Sequence, residues 1–210
     1  MNTLPAAVFS DLIQKIEEAR MAADKKGKPF IIAIDGRCAS GKTTLGNRLA
    51  EFYRENARLF HMDNYYLRPE QRTEKRYQTP GENVDHERFL DQVLLPASQG
   101  KKVISQDLIC PDLILSEPET VSCPPIMIVE GSYSLHPSLY PYYDFKIFMD
   151  CPQKTQLERI IRRNGPYKAE EFRTRWIPLE EHYIESLHPE NQADLMIGYK
   201  DETSEEQMNR

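Results

Sequence analysis

Phe30-Ile31-Ile32-Ala33-Ile34-Asp35-Gly36-Arg37-Cys38-Ala39-Ser40-Gly41-Lys42-Thr43-Thr44 is the stretch on which the fold turns. Its first five residues form a continuous apolar run rich in β-branched side chains, the composition of a strand buried on both faces of a parallel sheet. Residues 36–43 then match Gly-x-x-x-x-Gly-Lys-[Ser/Thr], and a helical pattern begins at Thr43. Between a strand and a helix, that spacing cradles a polyphosphate: the glycines let backbone N–H groups turn inward, and the helix N-terminus adds its positive end. At ordinary glycine usage of about 7%, a chain of this length matches by accident on the order of once in a hundred. Gly36, Ala39, Ser40, Gly41, Lys42, Thr43 and Thr44 are therefore the expected nucleotide-binding residues. Lys42 is expected to reach the β- and γ-phosphates and to be solvated when no nucleotide is bound, and Thr43 to offer its hydroxyl to Mg²⁺.

Working outward, runs of similar apolar character occur at 126–129, 145–149 and 195–197, with a weaker one at 58–62. Helical patterns lie at 43–55, 86–95, 154–163 and 178–186. Phe9, Leu12, Ile13 and Ile16 add a first helix over about 10–24, with Ser10 as its cap. Strands alternating with helices imply a parallel sheet covered on both faces and built by right-handed crossovers. The stretch 105–125, with Pro111, Pro118, Pro124 and Pro125, reads as a loop or small hairpin. The organisation expected is an N-terminal helix (1–27) packed on a core domain (28–200), with a lid at about 159–175 and a polar tail (201–210) that frays.

Composition narrows the class. The 210 residues are 40% hydrophobic and 29% charged, enough apolar material for one core. With 27 Lys+Arg against 33 Asp+Glu, the net charge of −6 argues against a general nucleic-acid binder. The longest apolar stretch, 30–34, is far short of a membrane span, and residues 1–10 lack a signal peptide's basic start and apolar run. Cys38, Cys110, Cys123 and Cys151 form no Cys-x-x-Cys pair and read as reduced thiols in a cytoplasmic protein. The five histidines show no metal-ligand spacing. A homo-oligomer is compatible with all of this.

The absence of Asn-Lys-x-Asp removes the guanine-reading element of a regulatory GTPase, and 210 residues leave little room for the helical subdomain of a hexameric ATPase. A small-molecule kinase leads. It needs a group for the acceptor hydroxyl's proton and a metal ligand opposite the loop hydroxyl, both at carboxyl ends of strands. Asp63 and Glu130 stand there, although Asp63 also suits an Asx turn and Glu130 an ion pair with an arginine. Six basic residues lie between Arg159 and Arg175. Arg159, Arg162 and Arg163 share one helix face while Leu157, Ile160 and Ile161 face the sheet, which suits a lid closing over triphosphate. Asp85 is placed to cap the helix at 86–95, with Val84 packing on Phe89 as a hydrophobic staple.

The set 32–44, His61-Met62-Asp63-Asn64-Tyr65-Tyr66, Asn83-Val84-Asp85-His86-Glu87-Arg88-Phe89, Ile128-Val129-Glu130-Gly131 and Phe148-Met149-Asp150-Cys151-Pro152 resembles, in this order, the uridine kinase/phosphoribulokinase family of P-loop kinases. The resemblance covers about residues 28–198. It implies an α/β P-loop NTPase fold with a five-stranded parallel sheet of order 2-3-1-4-5, helices on both faces and a short lid. It also implies ATP- and Mg²⁺-dependent phosphorylation of a hydroxyl, with a nucleoside as the small-molecule acceptor. On it, Asp63 is the base, Lys42, Arg159 and Arg163 serve the phosphates, and Thr43 with Glu130 serves the metal. Asp85, Tyr65 and His86 hold the acceptor. The chain departs from uridine kinases at 105–112, which lacks their Tyr-Asp-Phe element, and in a short lid around Gly165. A kinase of another small alcohol or sugar phosphate, and a nucleotide-binding regulator with little turnover, are the rival readings.

Overall fold

The structure is a computed structural model and describes residues 4–25, 27–109 and 112–198; the tail 201–210 lies outside them. Five parallel strands make the central sheet: β1 (Phe30–Gly36), β2 (Ala57–His61), β3 (Ile126–Glu130), β4 (Phe145–Asp150) and β5 (Leu195–Gly198). Their order is β2-β3-β1-β4-β5, the expected 2-3-1-4-5. The register sets Glu130 beside both Ile34 and His61, so the carboxyl ends of the three strands meet at one edge.

Alternation along the strands explains why β1 is apolar throughout: successive side chains enter opposite cores. Ile31 and Ala33 face a core completed by Phe89, Val93, Leu94, Tyr133 and Tyr183. Ile32 and Ile34 face another, with Leu45 and Leu49 of α2 (Lys42–Tyr53) and Phe9, Leu12 and Ile16 of α1 (Ala6–Ala23). Helix α1 starts earlier than expected because Pro5, with φ −52°, precedes its first turn; Ser10 lies inside the helix and caps nothing.

Helix α3 spans 86–98 and widens into a π-turn over Leu90–Leu94 just before Pro96. Proline has no N–H for the preceding turn, and the wider turn accommodates that loss. Helix α4 (Gln153–Glu171) outruns its expected end but breaks at Gly165 (φ 81°, ψ 161°), and Pro166 restarts it. A π-turn (Phe172–Trp176) leads into α5 (Ile177–Leu187). On α4 the inward face is Gln156 and Ile160, one turn apart; Ile161, expected to face the sheet, is 41% exposed because it sits about 100° further round. The stretch after α3 forms two antiparallel ribbons, Val103–Ser105 with Glu119–Val121 and Leu108–Ile109 with Ile114–Leu115. Cys38, Cys123 and Cys151 are unpaired, and no described helix is long and apolar enough to cross a membrane.

Candidate active site

The loop between β1 and α2 has the backbone a phosphate cradle needs. Gly36 sits at φ 131°, and a Cβ there would stand 1.9 Å from the Met149 carbonyl oxygen, so only glycine fits. Gly41 lies at φ 110°, and Ala39 adopts a left-handed φ of 59°. Lys42 is not solvated as expected. Its ammonium donates to the carbonyls of Gly36 (2.7 Å) and Arg37 (2.8 Å), and the residue is 7% exposed. The Ser40 hydroxyl is buried with no protein partner, a group that a bound phosphate oxygen would satisfy.

At the strand ends, Thr43 Oγ1 donates to Glu130 Oε2 (3.0 Å), while His61 Nδ1 lies 2.5 Å from Glu130 Oε1. Glu130 thus pairs with a histidine and a hydroxyl, and not with an arginine. The bond to Glu130 pushes the His61 pKa up. Asp63 follows β2 in a helical turn, Met62–Tyr65, and Tyr66 donates to its Oδ1 at 3.3 Å. Although Asp63 opens onto a cavity, the walls withhold enough water that desolvation, and then the charge of Glu130, hold its carboxyl above the ordinary range. A hydroxyl and two carboxylates that repel one another form a hard oxygen set, which fits Mg²⁺.

Lys42, Thr43, Asp63, Tyr66 and Glu130 line one cavity of about 750 Å³. Arg159, Arg162 and Arg163 reach it from α4, and Arg159 Nη1 donates to the Ala39 carbonyl (2.9 Å), tying α4 to the loop. Of the expected nucleotide and metal residues, Ala39, Gly41, Lys42, Thr43, Thr44, Asp63 and Glu130 are on its wall. The three expected acceptor residues are behind it. Asp85 is 2% exposed and does cap α3: its Oδ1 accepts from Arg88 N (3.3 Å) and its Oδ2 from Arg88 Nε (3.2 Å). Tyr65 is buried edge-on against Phe89, and His86 stacks on His136. The wall also includes Tyr66, Asn83, Tyr133, Arg72 and Trp176, with the Tyr66 and Trp176 rings 6.0 Å apart.

Sequence reasoning missed the buttress beneath the loop. Glu180 of α5, 3% exposed, accepts from the Cys38 N–H (2.8 Å to each oxygen), Ser132 Oγ (2.7 Å) and Gln156 Nε2 (3.1 Å). Arg37 clamps Glu181 (2.8 Å) and Asp150 (2.6 Å). Buried Asp35 accepts from the N–H groups of Gly36, Tyr133 and Leu135 and from the Tyr183 hydroxyl; burial still pushes its carboxyl up to about 6. The sole signal for Asp35 was a carboxylate at the end of an apolar strand.

A sheet of this order, with a phosphate loop after its first strand and arginines facing that loop from a broken helix, defines a P-loop kinase. No protein-family model matches the chain. It is 30% identical over 152 residues to the uridine kinase of Ligilactobacillus salivarius (strain UCC118), covering 68% of this chain and 70% of that protein. It is 26% identical over 160 residues to uridine kinase-like protein 3 of Arabidopsis thaliana, covering 72% and 34%. The chain belongs to the uridine kinase-like family of P-loop kinases. It is also 31% identical over 195 residues to a Schizosaccharomyces pombe protein named tRNA-specific adenosine deaminase subunit tad2, covering 86% of this chain but spanning only 46% of that protein. Among solved structures, a possible uridine kinase from Bacillus stearothermophilus superposes with a TM-score of 0.60 at 23% identity, covering 89% of this chain and 99% of the other. A putative fructose transport system kinase from Silicibacter sp. TM1040 superposes at 0.66 and 20%, covering 86% and 97%. Both likenesses concern the fold.

Proposed function

We propose that this chain transfers the γ-phosphoryl group of ATP to a hydroxyl of a small metabolite, and that the metabolite is a nucleoside. The observation that carries the reading is the meeting of Lys42, Thr43, Glu130, Asp63 and three lid arginines on one cavity wall. Phosphoryl transfer asks little covalent chemistry of a protein; it asks for positioning and for charge where charge develops. Asp63 orients the acceptor hydroxyl and takes its proton, a task that its raised pKa favours, and Tyr66 fixes the carboxylate's direction. Thr43 and Glu130 would hold Mg²⁺, which would supply neutralising charge to the phosphate oxygens. Lys42 and the arginines bind the donor's phosphates and exclude water as the lid closes.

The nucleoside assignment is supported by the names of the uridine kinase relatives and by the Tyr66–Trp176 wall, whose π faces suit a base; such stacking contributes about 1–3 kcal/mol per base. A sugar phosphate is the second reading, favoured by Arg72 and Arg175 on the same wall, two cations that a neutral nucleoside does not require. The deaminase name of the Schizosaccharomyces pombe relative is not carried over: this sequence has no Pro-Cys-x-x-Cys, half of the zinc signature such deaminases use. A coupled ADP-release screen over nucleosides, sugar phosphates and small alcohols tests the proposal. Stimulation by nucleosides is expected. Stimulation by sugar phosphates alone would select the second reading, and none across the panel would favour a nucleotide-binding regulator.

A further inference from the structure

We infer that Glu82, His86 and His136 form a second site, outside the phosphoryl-transfer cavity, that takes a borderline-soft divalent cation, Zn²⁺. Their ligand atoms lie within 4.8 Å of one another. The two imidazoles are stacked 4.0 Å apart and 19° from parallel. At one edge of the stack, Ser138 Oγ lies 2.9 Å from His86 Nδ1 and 2.7 Å from His136 Nδ1. At the other edge, both Nε2 atoms face one oxygen, Glu82 Oε1, at 3.2 Å from His86 and 3.9 Å from His136. The His86 distance is a hydrogen bond; the His136 distance exceeds hydrogen-bond reach.

Metal-binding histidines hold their second ring nitrogen on an acceptor, which fixes the tautomer and aims the ligand nitrogen. One serine hydroxyl has the lone pairs to accept from both Nδ1–H groups, leaving both Nε2 atoms as ligands. In the metal-free chain both rings have a competing Nε2–H tautomer, His86 donating to Glu82 at 3.2 Å and His136 Nδ1 lying 3.3 Å from the Ser138 N–H, and coordination would displace it. Arg76 sits 3.4 Å from Glu82 Oε2, the oxygen turned away from the histidines, and also pairs with Glu87. The two glutamates against one arginine leave a net negative charge beside the rings. Bond lengths of about 2.0–2.2 Å in a tetrahedral zinc site put ligand atoms roughly 3.3–3.5 Å apart, and the rings must splay out of their 19° stack for both Nε2 lone pairs to meet one ion. Two imidazoles and one carboxylate suit zinc, whereas Mg²⁺ prefers an all-oxygen shell. Both histidines are only 9% exposed, and the more open Glu82 (27%) leaves a fourth position toward solvent. Bound there, the cation would fasten the segment preceding α3, which carries Asn83 on the cavity wall, to the loop after β3.

The test is isothermal titration of Zn²⁺ into the untagged full chain after EDTA stripping, with thermal melting in parallel. One equivalent bound at low-micromolar affinity or tighter, with a raised Tm, is expected, while any Mg²⁺ binding, which belongs to Thr43 and Glu130, should be the same in Glu82→Gln as in the wild type. Glu82→Gln and His136→Gln should each weaken binding by roughly tenfold to a hundredfold or more, and His188→Ala, at an exposed histidine remote in sequence, should bind as the wild type does. Circular dichroism checks folding; should His136→Gln unfold, the partly exposed Glu82→Gln decides. Absence of stoichiometric zinc, or wild-type affinity in folded Glu82→Gln, overturns the site. Neither outcome bears on phosphoryl transfer, which the ADP-release assay reads separately.

Discussion

Replacing Lys42 with Ala separates what its ammonium does for the fold from what it does for the reaction. In the fold it donates to the Gly36 and Arg37 carbonyls from a position 7% exposed. Hydrogen bonds from charged groups are worth about 1.5–3 kcal/mol each, and a buried acceptor left bare makes the loss worse. The Arg37 carbonyl keeps the Ser40 N–H (3.1 Å), and the Ser132 hydroxyl, whose one proton rests on Glu180 at 2.7 Å, lies 3.3 Å from Gly36 O and can turn to it. Removing the ammonium also relieves its own desolvation. The stability loss should therefore be about 1 kcal/mol, read by urea denaturation. In the reaction no other group replaces it, and losing a preorganised charge on the phosphates should cost about 3 kcal/mol or more, at least roughly a hundredfold in kcat. Coupled ADP release at saturating acceptor measures that. Turnover within twofold of wild type would refute the phosphate cradle. A stability loss above about 3 kcal/mol would mean that the lysine is chiefly a strut for the loop.

Asp63→Asn should bind both substrates with little change in KM while losing roughly 10² to 10⁴ in kcat; a variant that keeps its rate but melts earlier would leave Asp63 as a turn residue. Gly36→Ala should destabilise by more than about 3 kcal/mol, because its Cβ meets a backbone carbonyl at 1.9 Å, and a wild-type urea midpoint would show that the strand pair opens freely. Asp35 has a folded pKa near 6, above its unfolded value near 4, so its contribution to stability is full below pH 4 and is lost as pH rises through 6, by about 3 kcal/mol in all. Urea titrations at several pH values should show that decline in the wild type and a flatter profile in Asp35→Asn; equal slopes would count against it.

The sheet was legible because β1, β3 and β4 are buried on both faces, and continuous apolar runs bounded by breakers mark such strands. Asp63 and Glu130 were legible for a related reason: each follows such a run directly, and strand ends are where open parallel sheets bind ligands. The acceptor wall was not. Whether Tyr65 or Tyr66 faces the cavity depends on the helical turn after β2, which no periodicity specifies, and the structure turns Tyr65 onto Phe89 and Tyr66 onto Asp63. Asp85 carried two compatible readings, cap and acceptor ligand, and only the position of Arg88 decides how both oxygens are used. Glu180 escaped because its partners lie tens of residues away in sequence, and Glu82 and His86, only four residues apart, gain their third member, His136, through contacts that only tertiary packing creates.

The phosphate loop is tied to both sides of the break in α4. Loop residues 37–39 are each tied to the segment that contains the lid and α5: Arg37 to Glu181, Cys38 N–H to Glu180, and the Ala39 carbonyl to Arg159. The last of these ties lies before the break at Gly165 and the first two lie after it. A Cβ at Gly165 would meet nothing within 4 Å, so packing leaves that hinge free, and Tyr167 just beyond it is 93% exposed. A rotation at Gly165 that carries the arginines over the cavity must therefore stretch or rearrange a bond to the loop on one side of the hinge. Phosphate entering the loop competes for the same groups, since Cys38 N–H already serves Glu180 and Lys42 already serves two carbonyls. Donor binding and any rotation at Gly165 thus draw on a shared set of hydrogen bonds.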